Sequence, residues 1–256
     1  LNEKGYTFLL GNLRMFQKHG DEFYIFPEYE GKVLEELNIM ASKQVSGIIY
    51  IEGHCHTITC IPENFSIPIV AAYGFIEKEG VPSVLYNDEQ GAWMATSALL
   101  KKGCKEIGMI TGMTDSYHTR MRMQGYHKAL YEQKIPFNPQ WVAEGDWTKE
   151  SGYRGAEKLM RQGIRAIFSM NDLMAGGVYD YMRENGYQIG KDVLLVGFDD
   201  REICKAYYPA LSSVHLPLFE LGRYAAKLLL DLLEEDKPSE EKNHYINCSL
   251  KYRESL

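Results

Sequence analysis

The chain has 256 residues, 45% of them apolar and 25% charged, with a formal net charge of −7. That length exceeds one ordinary core and can bury enough surface for two lobes of roughly 100 to 150 residues each. The acidic balance excludes a broad phosphate-binding face, which needs clustered Lys and Arg to displace counterions, and no apolar run reaches the roughly 18 residues of a membrane span.

The chain opens on LNEKGYTFLL without Met, so it reads as a fragment with no visible signal peptide. In residues 1–12 a polar helix end with Gly runs into an apolar strand. The same unit recurs as LLKKGCKEIGMITG, LMRQGIRAIFSMND and MRENGYQIGKDVLLVGFDD. Glycine supplies a left-handed helix end, basic residues suit the negative pole of the helix dipole, and Val/Ile/Leu/Phe-rich runs suit strands buried on both faces. Further strands are predicted in VSGIIYIEG (45–53) and IPIVAAYG (67–74), and helices over 87–103, 116–134, 149–163 and 218–235. Ala92, Ala95 and Leu99 share one helical stripe, as do Leu221, Ala225, Leu228 and Leu232. Repeated αβ units of this kind predict an α/β fold of two Rossmann-like lobes with parallel sheets.

Polar residues gather where these strands should end: Asn12, Glu52 to His54, Tyr73, Asp115, Asn171 with Asp172, and Asp199 with Asp200. In open α/β sheets ligands bind outside the carboxyl ends of the strands, so two such sheets facing each other would converge these residues on one crevice. Cys55, Cys60, Cys104, Cys204 and Cys248 are odd in number and scattered, which fits reduced thiols of the cytoplasm better than a disulfide framework. His54, Cys55, His56 and Cys60 are chemically able to hold zinc, but their spacing matches no standard zinc motif, and no metal site is expected. There is no nucleophile elbow, no phosphate loop and no His-rich box, so neither an enzyme nor a cofactor is expected.

Several segments, in order from Ser83 to Ser255, resemble the LacI/GalR family of transcription regulators: NDEQGAWMAT, TRMRMQGYHKAL, EGDWTKESGY, AIFSMNDLMAGGVYDYMRENG, VLLVGFDD, YPALSSVHLPLFELGRYAAKLLLDLL and YRES. The resemblance covers about two thirds of the chain. It implies a type I periplasmic-binding-protein-like fold whose chain passes between lobes three times. One lobe would hold residues 1–87 and 216–245, the other 88–215 and 246–256. The family's first strand and its helix-turn-helix headpiece are expected to lie outside this sequence. Residues 13–31 are longer and more aromatic than the family pattern, so no ligand contact is carried onto them.

Carried over residue by residue, the resemblance implies a ligand site. Trp147 would stack on the ligand, since an indole face suits the C–H face of a pyranose; its bland alternative is a plug in the lobe surface. Arg122 would present a guanidinium fork to vicinal hydroxyls or a carboxylate, against the alternative of a solvated helix arginine. Arg120, two residues away, faces elsewhere on the helix and is the weaker candidate. Asn171 and Asp199 would hydrogen-bond ligand hydroxyls, Asn171 capping a helix as well. Phe219 would line the cleft, although a helix start explains it almost as well; Tyr73 and His54 complete the set. Asp88 reads as the cap of the helix after Asn87. Arg122 balanced by Asp199 favours a neutral polyol over a phosphorylated one.

The expected function is therefore ligand sensing and dimerisation in a cytoplasmic DNA-binding repressor of this type. The effector would be a small molecule, a neutral carbohydrate, and operator DNA would be met through a headpiece outside this sequence. The alternative is an extracytoplasmic sugar-binding protein of a transport system.

Overall fold

The computed structural model describes residues 5–15, 24–235 and 241–256. The predicted helix end at residues 1–4 and residues 16–23 of the aromatic stretch 13–31 lie outside them. The chain divides into two compact units, Leu1–Tyr86 with Leu218–Ile246 and Asn87–Pro217 with Asn247–Leu256.

In the first unit, α1 (Glu28–Ser42) precedes β1 (Ile48–Ile51), β2 (Thr57–Ile58), β3 (Ile69–Ala72), β4 (Phe75–Ile76) and β5 (Ser83–Tyr86). The chain returns to this unit as α6 (Leu218–Glu235) and β11 (Asn243–Ile246). The main sheet has the order β1-β3-β5-β11, all parallel, and β2 pairs with β4 in a separate ribbon. β3 and β5 are buried throughout whereas β1, at the sheet edge, is only half-buried. This is the expected difference between a central strand and an edge strand. The core joins Tyr29, Val33 and Leu37 of α1 to Ile69, Ala71 and Ile76. The strand predicted around Tyr6–Leu10 does not form: the segment has no secondary structure.

In the second unit the order is α2 (Asp88–Lys101), β6 (Gly108–Ile110), α3 (Tyr117–Glu132), β7 (Val142–Ala143), α4 (Lys149–Arg161), β8 (Ala166–Ser169), α5 (Asp172–Glu184), β9 (Leu194–Asp199), β10 (Ser212–His215) and, after the other unit, β12 (Ser249–Lys251). The sheet order β12-β10-β9-β8-β6-β7 is parallel except for β12, which runs antiparallel to β10. Ile110, Ile167, Phe168, Leu195, Val196 and Phe198 are fully buried in this sheet, as continuous apolar runs predict. Gly103 and Gly163 follow α2 and α4 with positive φ, the left-handed ends anticipated from the sequence. Among the described residues no helix is long and apolar enough to cross a membrane.

α4 and α5 pack closely enough to exclude a side chain between them. A Cβ on Gly177 would lie 2.0 Å from the Lys149 carbonyl oxygen, and one on Gly152 equally near that of Met174. Because the obstacle is backbone, Gly177→Ala is expected to destabilise the fold by about 1 to 3 kcal/mol despite the better helix propensity of Ala. Urea denaturation reads this as a lowered midpoint; an unchanged midpoint would mean that the helices separate freely.

Candidate functional site

The carboxyl ends of β6, β8 and β9 hold the densest polar arrangement of the second unit. Arg122, in the second turn of α3, is 3% exposed. Its Nε donates to Asp88 Oδ1 at 2.7 Å, and a terminal nitrogen donates to the Met170 carbonyl. The other terminal nitrogen stands 3.9 Å from Asp199 Oδ1, beyond hydrogen-bond range. The guanidinium carbon lies 3.7 Å from the centroid of the Phe198 ring and 5.6 Å from that of Trp147, so two aromatic faces bracket a cation held in place by charge and backbone.

Asp88 is therefore not the helix cap. Asn87 caps α2, its side chain accepting from Gln90 N at 3.0 Å, and Asp88 is left to bind Arg122 through one oxygen and His118 Nδ1, at 2.8 Å, through the other. Burial acts to raise the Asp88 carboxyl, but His118 and Arg122 outweigh it and hold the group below the usual carboxylate range. The charge balance read from the sequence thereby gains a member, because Arg122 is bonded to Asp88 and also stands within ion-pair distance of Asp199. Asp199, closing β9 with φ 109°, has a different character. Burial pushes its carboxyl up to about 7, with Arg122 opposing and Asp172 reinforcing the rise. The pole is thus close to neutral overall.

Trp147 occupies the loop between β7 and α4 with a left-handed φ of 70°, an unusual conformation for a bulky residue. Asn171 holds it there: Nδ2 donates to the Trp147 carbonyl at 3.0 Å, while Oδ1 accepts from Met174 N at 2.7 Å as the cap of α5. The indole lies flat against Gly112, where a Cβ would fall 2.0 Å from a ring carbon. Among the described residues indole Nε1 has no hydrogen-bond partner although it is buried, which is costly unless an acceptor arrives. Arg120 points elsewhere, donating to the Asp115 carbonyl at 2.6 Å.

Beside this group Asp200 turns away from Asp199. It accepts from Arg253 at 2.6 Å and meets His215 Nδ1 at 3.0 Å, fastening the C-terminal segment to β10. Asp172 is buried and accepts from Ser213 Oγ and from Arg201 N. These acids organise the ends of β9 and β10.

Thus Arg122, Trp147, Asn171 and Asp199 come together at one pole of the second unit. The other three predicted residues belong to the first unit. Tyr73 follows β3 with φ 62°, accepts from the Tyr86 hydroxyl at 3.2 Å and has its ring 5.4 Å from the Tyr86 ring. His54 follows β1 and stacks on Tyr24 at 5.8 Å. Phe219 starts α6 with 79% of its surface exposed. Glu52, at the end of β1, is buried and bonded by the Tyr29 hydroxyl. Sequence reasoning missed Asp88 and Phe198 as supports of Arg122. The Asn87-x-x-Gln90 spacing, which resembles a capping box, marks Asn87 as the cap and could have released Asp88 for another role; nothing local marks Phe198.

Residues 96–256, more than half of the chain, match the family described as periplasmic binding protein-like domain. The ribose operon repressor of Haemophilus influenzae is 32% identical over 205 residues, 79% of this chain and 62% of that protein. Catabolite control protein A of Priestia megaterium is 31% identical over 81% of this chain and 64% of its own length. The chain thus spans about three-fifths of the length of these curated relatives. Among solved structures, a regulatory protein of the LacI family from Chloroflexus aggregans superposes with a TM-score of 0.75 at 27% identity, covering 90% of this chain and 83% of that one. The chain belongs to the periplasmic binding protein-like domain family, in the form carried by LacI-family regulators.

Proposed function

We propose that this chain is the effector-binding and dimerisation part of a cytoplasmic LacI-type transcription regulator, and that its effector is a neutral sugar or glycoside. Operator DNA is met by a part of the protein outside these 256 residues, a division supported by their net charge of −7. The relatives named as repressors support regulation rather than transport or turnover. A dimer is expected by sedimentation at micromolar concentration, since paired sensors of this type present apolar faces to a symmetric partner; a monomer would contradict that part.

The observation that carries the ligand reading is the buried indole N–H of Trp147, which has no hydrogen-bond partner among the described residues. It stands beside a fixed guanidinium and, 3.9 Å from that cation, an ionisable carboxyl. Hydroxyls of a polyol can both donate and accept, and its C–H face can lie on the indole. Because Asp88 already neutralises Arg122, a phosphorylated ligand would find no excess positive charge here. Calorimetry of the chain against neutral sugars, sugar phosphates and purine bases tests this: binding confined to neutral sugars is expected, and tight binding of phosphorylated compounds alone would overturn it.

Trp147→Ala is expected to weaken sugar binding about tenfold, corresponding to roughly 1.5 kcal/mol of ring contact. Stability should fall by less than the roughly 3 kcal/mol of a deleted core aromatic, because the ring is only half-buried. Unaltered affinity, or a variant that fails to fold, would make Trp147 a structural plug.

A further inference from the structure

The other end of the second unit's sheet, at the amino ends of β6 and β7, carries a recess of about 520 Å³. Leu100 near the end of α2, Ile135 after α3 and Trp141 just before β7 give it an apolar lining, and all three are half-buried. Lys105 and Lys134 also line it, and Lys101 and Lys102 immediately precede two further lining residues, Gly103 and Cys104. All four lysines are exposed. Among the described residues the lysines held in ion pairs are Lys32, Lys128, Lys149 and Lys205, none of which lies here. Glu106 is the only acid among the described residues of the lining, in a protein whose net charge is −7.

A lysine at a helix end ordinarily offsets the negative pole of the dipole, an effect confined to the last turn. That accounts for Lys101, the basic residue in the last turn of α2. The last turn of α3 has no basic residue, and Lys102, Lys105 and Lys134 all lie beyond the helix that precedes them. Their charge is left to solvent or to a partner. A small molecule is held by a pocket that covers most of its surface, which a rim of exposed lysines does not do. Such a rim suits one apolar side chain projecting from a larger partner, with acids beside it drawn in by the cations. We propose that this recess docks an acidic segment of a partner protein, one apolar side chain of which rests on Leu100, Ile135 and Trp141 while its carboxylates meet the lysines. The contact uses none of the residues around Arg122, so it stands or falls independently of the sugar reading.

Fluorescence anisotropy of a labelled peptide of Asp and Glu around one central Phe tests this. Saturable binding that weakens as salt is added is expected. Replacing Lys105→Gln together with Lys134→Gln should weaken it about tenfold, the loss of two exposed charge pairs. The same peptide with Gly in place of its Phe should also bind about tenfold more weakly, since the apolar anchor is gone. Both lysines are exposed, so the double variant should keep the melting temperature and the calorimetric response to sugars of the unaltered protein. Absence of peptide binding, or binding indifferent to the double variant, would overturn the proposal. Equal affinity for the Phe and Gly peptides would overturn it by reducing the contact to diffuse charge. Adenosine triphosphate that bound more tightly than the peptide and displaced it would also overturn it, by assigning the recess to a small anion.

Discussion

Replacing Asp88 by Ala is expected to destabilise the folded chain by about 3 to 5 kcal/mol, the cost of leaving a buried cation without its partner. Arg122 is 3% exposed, and the Asp88 side chain is 1% exposed while bonding Arg122 and His118 together. The Met170 carbonyl and the Phe198 ring remain after the substitution without a compensating charge, and the remaining carboxyl, Asp199 at 3.9 Å, is one whose ionisation burial opposes. Replacing both members at once, Asp88→Leu with Arg122→Met, should recover most of the loss, because the desolvation of two charges disappears with them. Such a variant would fold yet bind no sugar. Urea denaturation of the two single variants and the double variant gives the coupling directly; a loss below about 1 kcal/mol for Asp88→Ala would mean that water reaches Arg122.

Affinity for a neutral sugar is expected to rise about tenfold between roughly pH 6 and pH 8, the ratio of ionised fractions for a carboxyl titrating near 7. Burial lifts Asp199 from its ordinary 3.8 to about 7. A sugar hydroxyl that donates to this oxygen favours the ionised form, so binding releases a proton and strengthens as the pH climbs through that value. Stability without ligand runs the other way. A carboxyl whose folded pKa is raised contributes fully below about pH 4, and that contribution is lost as the pH rises through about 7. Asp199→Asn should flatten both profiles. Affinity that falls with rising pH would mean that Asp199 acts as the protonated donor instead.

Much of the second unit was legible because its signals are local. The runs ending in Ser169 and Asp199 are apolar throughout, as parallel strands covered on both faces must be, and Gly103 and Gly163 announce the helix ends before β6 and β8. The segment Tyr6–Leu10 carries an equally apolar run, yet the structure leaves it unpaired. Pairing is a property of the neighbour, which no local pattern contains. The same limit governs the site. Place at a strand end marks Asn171 and Asp199, and resemblance to the family adds Arg122 and Trp147, whereas the counter-ion of Arg122 depends on how α2 packs against α3. That packing is fixed by Gly125, where a Cβ would meet the Glu89 carbonyl at 2.1 Å. The balance expected between Arg122 and Asp199 is shared with Asp88, which bonds the guanidinium directly while burial leaves Asp199 open to protonation.

The proposed sensor holds a polyol against Trp147 at the pole built by Arg122, Asn171 and Asp199. The most direct measurement is the emission of Trp147 alone, with Trp93 and Trp141, the other two tryptophans of the chain, replaced by Phe. A neutral sugar that evolves heat on binding should change the intensity or wavelength of that emission, with the same midpoint as the calorimetric titration. Heat of binding with an unchanged Trp147 spectrum would place the ligand elsewhere and contradict the account.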